Sequence, residues 1–241
     1  MKVDIVIPNF NGAHLIEQNL HSVVNALQPY EGKVIIVDDG STAEEQEKLR
    51  KFVGNFRDKH RVELIVKEKN SGFSSTVNTG VKKSEAEFVV LLNSDVVPRA
   101  GFLKSPLESL LKDDNLFGVG CMDESVEGDR RVNRGRGLAH WGKGFLHHSR
   151  GEVNKSNTFW ISGGSSVVRR QLFMKLDGFD KIYAPFYWED IDLSYRAQKA
   201  GYKILFDNTS VVEHYHQEGA IKKHYNSERI TTISYRNQII F

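Results

Sequence analysis

The chain of 241 residues is long enough for one substantial core, or for one domain with a small appendage. With 33 Lys and Arg against 31 Asp and Glu, its formal charge is only +2, and it lacks the concentrated basic stripe of a protein that wraps nucleic acid. One cysteine, Cys121, excludes an internal disulfide framework and a multi-cysteine zinc site, while permitting a cytoplasmic location.

The first apolar run carries Asp4 and stops at Pro8, so residues 3–7 are predicted as a strand and not as a signal peptide. Asn9-Phe10-Asn11-Gly12 is loop-like, and a helical pattern follows through Leu15, Leu20, Val23, Val24 and Leu27. Residues 34–37 form a second buried strand, broken by Asp38-Asp39-Gly40-Ser41. Ser41 or Thr42 can cap the next helix, whose first turn holds Glu44 and Glu45 and whose apolar marks are Leu49, Phe52 and Val53. A third strand is expected at 62–66, a helix at 74–83 after Asn70-Ser71-Gly72-Phe73, and a fourth strand at 88–92 ending in Asn93-Ser94-Asp95. Near-continuous apolar strands alternating with helices predict a mostly parallel sheet covered on both faces, with ligands beyond the carboxyl ends of its strands. Each polar cluster named so far falls at that end.

Beyond Pro98 a helix is predicted through Phe102, Leu103, Leu107, Leu110 and Leu111, then a short strand at 117–121. Between 123 and 157, glycine, arginine and histidine interleave with few long apolar runs, which predicts a long irregular excursion or a hairpin of the kind that serves binding. Its Arg130, Arg131, Arg134 and Arg136 are either a solvated loop or a contact for phosphates on a substrate or a membrane surface. Order returns at 159–168 as a strand with a glycine break, followed by helical segments at 170–176 and 190–200 and strands at 203–207 and 210–213. No run approaches the ~18 continuous apolar residues of a spanning helix, so any membrane contact is expected to be peripheral or to lie outside these residues.

Several clusters can carry chemistry. Asp38 and Asp39 would repel each other at the end of a buried strand unless a hydrogen-bonding or electropositive partner holds them. A turn and helix cap accounts for one, and a ligand base or sugar can engage the other. Asp95 and Asn93 offer oxygen to a hard cation bridging substrate phosphates, although a strand-end turn also explains them. Glu189 and Asp190 follow the aromatic string Tyr183-Ala184-Pro185-Phe186-Tyr187-Trp188. They are either helix N-terminal acids or carboxylates whose basicity a partly dry wall raises, fit to take a proton from a hydroxyl. His214 and His216 lie just past a late strand, as surface histidines or as a distant ligand for a metal at Asp95. Gly163-Gly164 is a bulge or a close approach to substrate. With no glycine-rich phosphate loop in the chain, phosphate charge falls to metal and basic side chains.

In order and spacing, a series of motifs over nearly the whole chain resembles the inverting family 2 glycosyltransferases of the GT-A fold. They are Ile5-Val6-Ile7-Pro8-Asn9-Phe10-Asn11-Gly12, Val37-Asp38-Asp39-Gly40-Ser41, Asn70-Ser71-Gly72-Phe73 with Asn78-Thr79-Gly80, and Leu91-Leu92-Asn93-Ser94-Asp95. Gly163-Gly164, Gly178-Phe179-Asp180, Trp188-Glu189-Asp190-Ile191-Asp192-Leu193, His214 and Tyr235-Arg236-Asn237 complete the series. Within the family the sequence looks like the bacterial rhamnosyltransferase-like branch that builds cell-surface polysaccharides.

The resemblance implies one α/β domain over 1–241, with a Rossmann-like, mostly parallel central sheet flanked by helices and a small mixed region on the acceptor side. Residues 1–97 would be the nucleotide-binding half and 98–241 the acceptor-binding and catalytic half. It assigns Pro8, Asn11 and Asp39 to the nucleotide pocket, with Asp39 facing the base, and Asn70 and Asn78 to the border of nucleotide and donor sugar. Asp95 matches the last position of the family's Asp-x-Asp motif, whose final carboxylate binds the Mn²⁺ or Mg²⁺ carrying the diphosphate. Asn93 departs from that motif, keeping an oxygen acceptor and losing a charge. His214 matches the late histidine that completes the metal site, Asp190 the general base and Glu189 a substrate-orienting acid. Gly163, Gly164 and Trp188 match the join between donor and acceptor sites.

The implied reaction moves a sugar from a UDP- or dTDP-sugar to a hydroxyl of a glycan or lipid-linked saccharide, with dTDP-rhamnose favoured by the branch and no nucleic acid involved. The implied setting is the cytoplasm or the inner face of the membrane, with peripheral membrane contact and homo-oligomer formation left open. A nucleotidylyltransferase is the alternative from another enzyme class, but it calls for a glycine-rich basic loop that residues 9–14 lack. A non-catalytic nucleotide- or carbohydrate-binding module is the other, and the presence of Asp95, Asp190 and His214 together argues against it.

Overall fold

The opening apolar run becomes β1 (Val3–Asn9), the middle of a parallel block, in the computed structural model, which describes residues 1–127, 130–215 and 225–241. β2 (Val34–Asp38) lies on one side of β1 with β3 (Val62–Val66) beyond it, and β4 (Phe88–Leu92) lies on the other, all parallel. Every residue of β2 and β4 is buried, as expected where helices cover both faces and leave no polar side to alternate with.

Alternation survives in how β1 divides its side chains. Val3, Ile5 and Ile7 join the core beneath α1 (Ala13–Leu27) and α2 (Ala43–Asn55), with Ile16, Leu20, Val24 and Leu49. Val6 points the other way, to Val77 and Val81 of α3 (Phe73–Lys83). Thr42 is the cap of α2, its Oγ1 accepting from Glu45 N at 3.4 Å, whereas Ser41 turns back to Asp38.

The second half extends the same sheet. It comprises β5 (Val96–Pro98), α4 (Lys104–Lys112), β6 (Leu116–Glu127), β7 (Arg130–Arg134), β8 (Gly137–Gly142), β9 (Phe145–Arg150), β10 (Ser165–Arg169), α5 (Arg170–Lys175), α6 (Glu189–Lys199), β11 (Lys203–His214) and a last helix, α7 (Ser227–Ile240). The strand order is β3-β2-β1-β4-β10-β6-β11-β5, with β7 paired to β6 and a separate β8–β9 hairpin. β10 runs antiparallel between β4 and β6, while β11 is parallel to β6 and antiparallel to β5. The architecture is therefore a mostly parallel central sheet flanked by helices, with a smaller mixed region.

The region of 123–157 takes the hairpin alternative and adds to it, because β6 runs on to Glu127 and β7 pairs with it before the β8–β9 hairpin. Two of its arginines are taken up internally. Arg131 pairs with Glu124 and Glu213, and the buried Arg136 donates to Asn157 O at 2.5 Å and Glu152 O at 3.2 Å. The strand expected at 159–168 is only β10. Before it, Ile161 N is bonded to Ser194 Oγ and Gly164 O accepts from Asn93 N, so that backbone leaves the ladder to serve a helix and a strand end. The two late strands are one, β11, with a register break between Asp207 and Val211. There Thr209 N and Oγ1 both bond the Asp207 carboxylate. Among the described residues no helix is long and apolar enough to cross a membrane.

Candidate active site

A cavity of about 370 Å³ opens over the carboxyl ends of β1, β2 and β4 and is closed on its far side by the start of α6 and the end of β11. It brings together Pro8, Asp39, Asn70, Asn93, Asp95, Gly163, Gly164, Glu189, Asp190 and His214, which the chain spreads over two hundred positions. Asn11, Asn78 and Trp188 do not line it.

At the end of the cavity beyond β1 and β2, the two adjacent aspartates divide their work. Asp38 faces inward and accepts from Asn9 Nδ2 at 2.8 Å and from Ser41 N and Oγ at 3.0 and 2.5 Å. Asp39 faces the cavity and accepts from Lys67 Nζ at 2.6 Å, Ser71 N at 3.0 Å and Gly72 N at 2.9 Å. Lys67 was not singled out by the sequence, yet its place directly after β3 puts it at the same sheet edge. It is the electropositive partner that two neighbouring carboxylates require. Asn70 Oδ1 accepts from Gly72 N at 3.2 Å. Gly40 lies so close that a Cβ there would sit 2.5 Å from Lys69 C, and its φ of +68° suits glycine.

Asn11 and Asn78 act between loops. Asn11 Oδ1 accepts from Thr42 N at 3.0 Å, joining the loops after β1 and β2. Asn78 takes both backbone groups of Phe179, with Nδ2 to O at 2.8 Å and N to Oδ1 at 2.9 Å, and so ties α3 to the approach to α6.

At the centre, Asp95 is 7% exposed in the turn after β4, a turn that Asn19 of α1 holds through Ser94 O at 2.8 Å. His214, the last residue of β11, points Nε2 at Asp95 Oδ2, 3.4 Å away, and Nδ1 at Asp123 Oδ2, 2.6 Å away. Burial disfavours its imidazolium, but hydrogen bonds to Asp123 and Asp95 and their charges outweigh that, raising its pKa to about 9. Asp123 was missed in the sequence, because only the pairing of Val212 with Asp123 across β11 and β6 shows that it stands beside His214. His216 lies outside the described residues. A carboxylate and an imidazole whose other nitrogen is fixed by a second carboxylate make a donor set that fits a divalent cation with few protein ligands. Among the described residues no group of three or more His, Cys, Asp or Glu side chains is placed to hold a metal ion by itself. Gly164 presses on this centre, since a Cβ there would lie 2.4 Å from Asn93 Nδ2.

At the far end, Glu189 and Asp190 occupy the first turn of α6. Asp190 accepts from Ile191 N at 2.9 Å and Gly163 N at 3.3 Å. Glu189 is 6% exposed and its Oε2 has no hydrogen-bond partner. Burial raises the pKa of both, and the Asp190 charge raises Glu189 further. The pair therefore holds a proton more readily than two free carboxylates. Glu189 is its natural seat, because Asp190 alone receives the Ile191 and Gly163 amides that favour an anion. Trp188 turns away into an apolar cluster with Tyr183, Leu146 and Ile191, its ring 5.2 Å from that of His148.

The sequence model described as "Glycosyl transferase family 2" matches residues 4–177. The chain belongs to the family 2 glycosyltransferases. Among curated relatives of this family 2 glycosyltransferase, the pre-mycofactocin glycosyltransferase of Mycobacterium tuberculosis is 28% identical over 215 residues, 89% of this chain and 43% of its own length. Chondroitin synthase of Escherichia coli is 29% identical over 120 residues, 49% of this chain and 17% of its own length. This chain thus spans less than half the length of either relative. Among solved structures, GalNAc-T7 with UDP, GalNAc and Mn²⁺ matches with a TM-score of 0.79 at 18% identity, over 99% of this chain and 47% of that one. Mannosyltransferase PcManGT from Pyrobaculum calidifontis, in complex with GDP-Man and Mn²⁺, matches at 0.66 and 19%, over 88% of this chain and 56% of that one. S. aureus TarS 1-349 in complex with UDP-GlcNAc also matches at 0.66 and 19%, over 97% and 65%. The family 2 glycosyltransferase accordingly carries the GT-A fold.

Proposed function

We propose that this chain transfers a sugar, with inversion at the anomeric carbon, from a nucleotide diphosphate sugar to a hydroxyl of a glycan or lipid-linked saccharide. The observation that carries the reading is the joining of three groups in one cavity: Asp39, the Asp95–His214 pair and the Glu189–Asp190 pair. The solved neighbours with UDP, GDP-Man or UDP-GlcNAc, two of them with Mn²⁺, lend support on the donor and the metal.

In this reading Asp39 and Asn70 border the nucleotide, and Asp95 and His214 hold a Mn²⁺ or Mg²⁺ that, when bound, supplies positive charge to the diphosphate leaving group. Asp123 keeps the His214 ring turned towards that position. Asp190, ionised and fixed by two backbone amides, takes the proton from the acceptor hydroxyl as that oxygen attacks. Glu189, whose buried Oε2 has no partner in the protein, orients substrate through that oxygen. Gly163 and Gly164 let backbone approach the sugar where a side chain would obstruct it. One displacement with one base and no separate nucleophile inverts configuration.

A dTDP-linked donor such as dTDP-rhamnose and a role in surface polysaccharide synthesis are the narrower form of the proposal, and the motif resemblance alone supports them. The test is a screen of UDP-, GDP- and dTDP-sugars with Mn²⁺ and saccharide acceptors, read by product mass and anomeric configuration. Transfer that keeps the donor's configuration, or transfer undiminished in Asp190→Asn, would overturn the mechanism.

A further inference from the structure

The two residues before the catalytic pair stand in a conformation the backbone disfavours. Tyr187 and Trp188 have φ of +72° and +79°, in the left-handed region that large side chains seldom adopt and that persists only where surroundings impose it. Trp188 is the residue at which α6 starts, and it offers no side-chain cap. The direction in which Glu189 and Asp190 leave this turn must therefore be fixed from outside α6.

It is fixed from α7. Asn237, 0% exposed, directs Nδ2 to three carbonyl oxygens of the incoming loop, those of Tyr183 at 2.8 Å, Phe186 at 3.0 Å and Tyr187 at 2.8 Å. Its Oδ1 accepts from Arg236 Nε at 2.9 Å and Nη2 at 2.7 Å, and Arg236 also donates to Ala184 O. An amide has two hydrogens to give, so three converging carbonyls share one donor group and define a single place for it. The same loop reaches the nucleotide side, where Phe73 N donates to Pro185 O at 3.2 Å. One buried amide on the last helix thus holds a loop whose Pro185, Phe186 and Tyr187 line the cavity.

We infer that Asn237, oriented by Arg236, is a positioning residue for the reaction: it holds the Tyr187–Trp188 turn and thereby the placement of the Asp190 carboxylate. The inference rests on the proposed role of Asp190 as base. A purely structural role for Asn237, as an anchor for α7, predicts that any equally destabilising change in that helix has the same effect. Ile233, the other buried residue of α7, supplies that comparison.

Four variants, Asn237→Ala, Arg236→Ala, Ile233→Ala and Asp190→Asn, are compared with the wild type. The measurements are transfer kinetics with the donor that reacts in the screen, the pH dependence of kcat, titration with UDP and Mn²⁺, and hydrogen exchange of peptides spanning 187–191. Misplacement by about 1 Å costs roughly 10²-fold in rate, so Asn237→Ala should lower kcat by about that factor while nucleotide binding stays near wild type. It should also displace the acidic limb of the kcat profile and speed exchange at 187–191. Arg236→Ala, at an exposed position, should act in the same direction more weakly and keeps the question open to measurement if Asn237→Ala does not fold. Ile233→Ala should lower the melting temperature without moving kcat, the limb or the local exchange. A wild-type kcat and limb in the Asn237 and Arg236 variants, or equal losses in Ile233→Ala, overturns the inference. If Asp190→Asn turns over normally, the base assignment falls and the inference with it; if only Asp190→Asn is impaired, the inference alone falls.

Discussion

Asp190 and Glu189 are neighbours in sequence with different surroundings, and that difference separates their predicted effects. Asp190→Asn removes the proposed proton acceptor but keeps a group able to bond Gly163 N, so turnover should fall by about 10²–10⁴-fold with nucleotide binding nearly unchanged in a titration. Glu189→Gln should reveal itself in stability. The native pKa of Glu189 lies above the ordinary value of 4.5, so the folded chain binds its proton more tightly than the unfolded chain does. That contribution favours folding below about pH 4.5 and is lost as pH rises through the native value. Melting curves should therefore show Glu189→Gln gaining on the wild type as pH rises above 4.5, then running parallel once the native pair has ionised. At the metal end, Asp123→Asn should weaken Mn²⁺-dependent nucleotide binding by about 10–100-fold through the histidine it orients, read by calorimetry. Asp39, Asp95 and Asp190 were visible in the sequence because each follows an apolar run or opens a helix. Lys67 and Asp123 were not, and Asn237 was visible only as part of a motif without a role, because each acquires its meaning from a partner on another element.

Among the elements, α3 shows how a packing contact can outweigh propensity. Gly80 lies in its interior, where alanine is favoured over glycine by about 1 kcal/mol. A Cβ on Gly80 would nonetheless stand 2.4 Å from Val6 Cγ1 and 3.1 Å from Val37 Cγ2, both in β-strands with little room to move. Overpacking of that kind costs about 1–3 kcal/mol, so Gly80→Ala should be net destabilising in chemical denaturation, against the propensity scale. The same competition explains where the strand expectation at 159–168 met its limit. Apolar content there matches a strand, but Gly163 and Gly164 give their backbone groups to Asp190 and Asn93, and only Ser165–Arg169 is left to pair with β4 and β6.

On the scale of the whole molecule, the cavity draws on both halves of the chain, and its occupant should bind them together. A nucleotide diphosphate with Mn²⁺ at about a hundred times its dissociation constant stabilises the folded state by about 2.7 kcal/mol, which for a chain of this size raises the melting temperature by roughly 5–11 °C. Neither Mn²⁺ nor nucleotide alone should give the full shift, and Asp95→Ala should abolish the metal-dependent part. A shift of the same size without metal would remove the argument for Asp95 and His214 as its ligands.

The sequence by itself determined the alternation of strands and helices in the first half, the end of the sheet at which the cavity opens, and the carboxylates that stand there. It could do so because buried parallel strands are written as unbroken apolar runs and their polar ends are local. Tertiary structure alone decided that β10 enters antiparallel between β4 and β6, that β11 sets His214 against Asp123, and that α7 returns Asn237 to the turn before Asp190. Those pairings join residues 91 positions apart in one case and 50 in another, and no local pattern of apolar and polar residues encodes which distant backbone a side chain will meet.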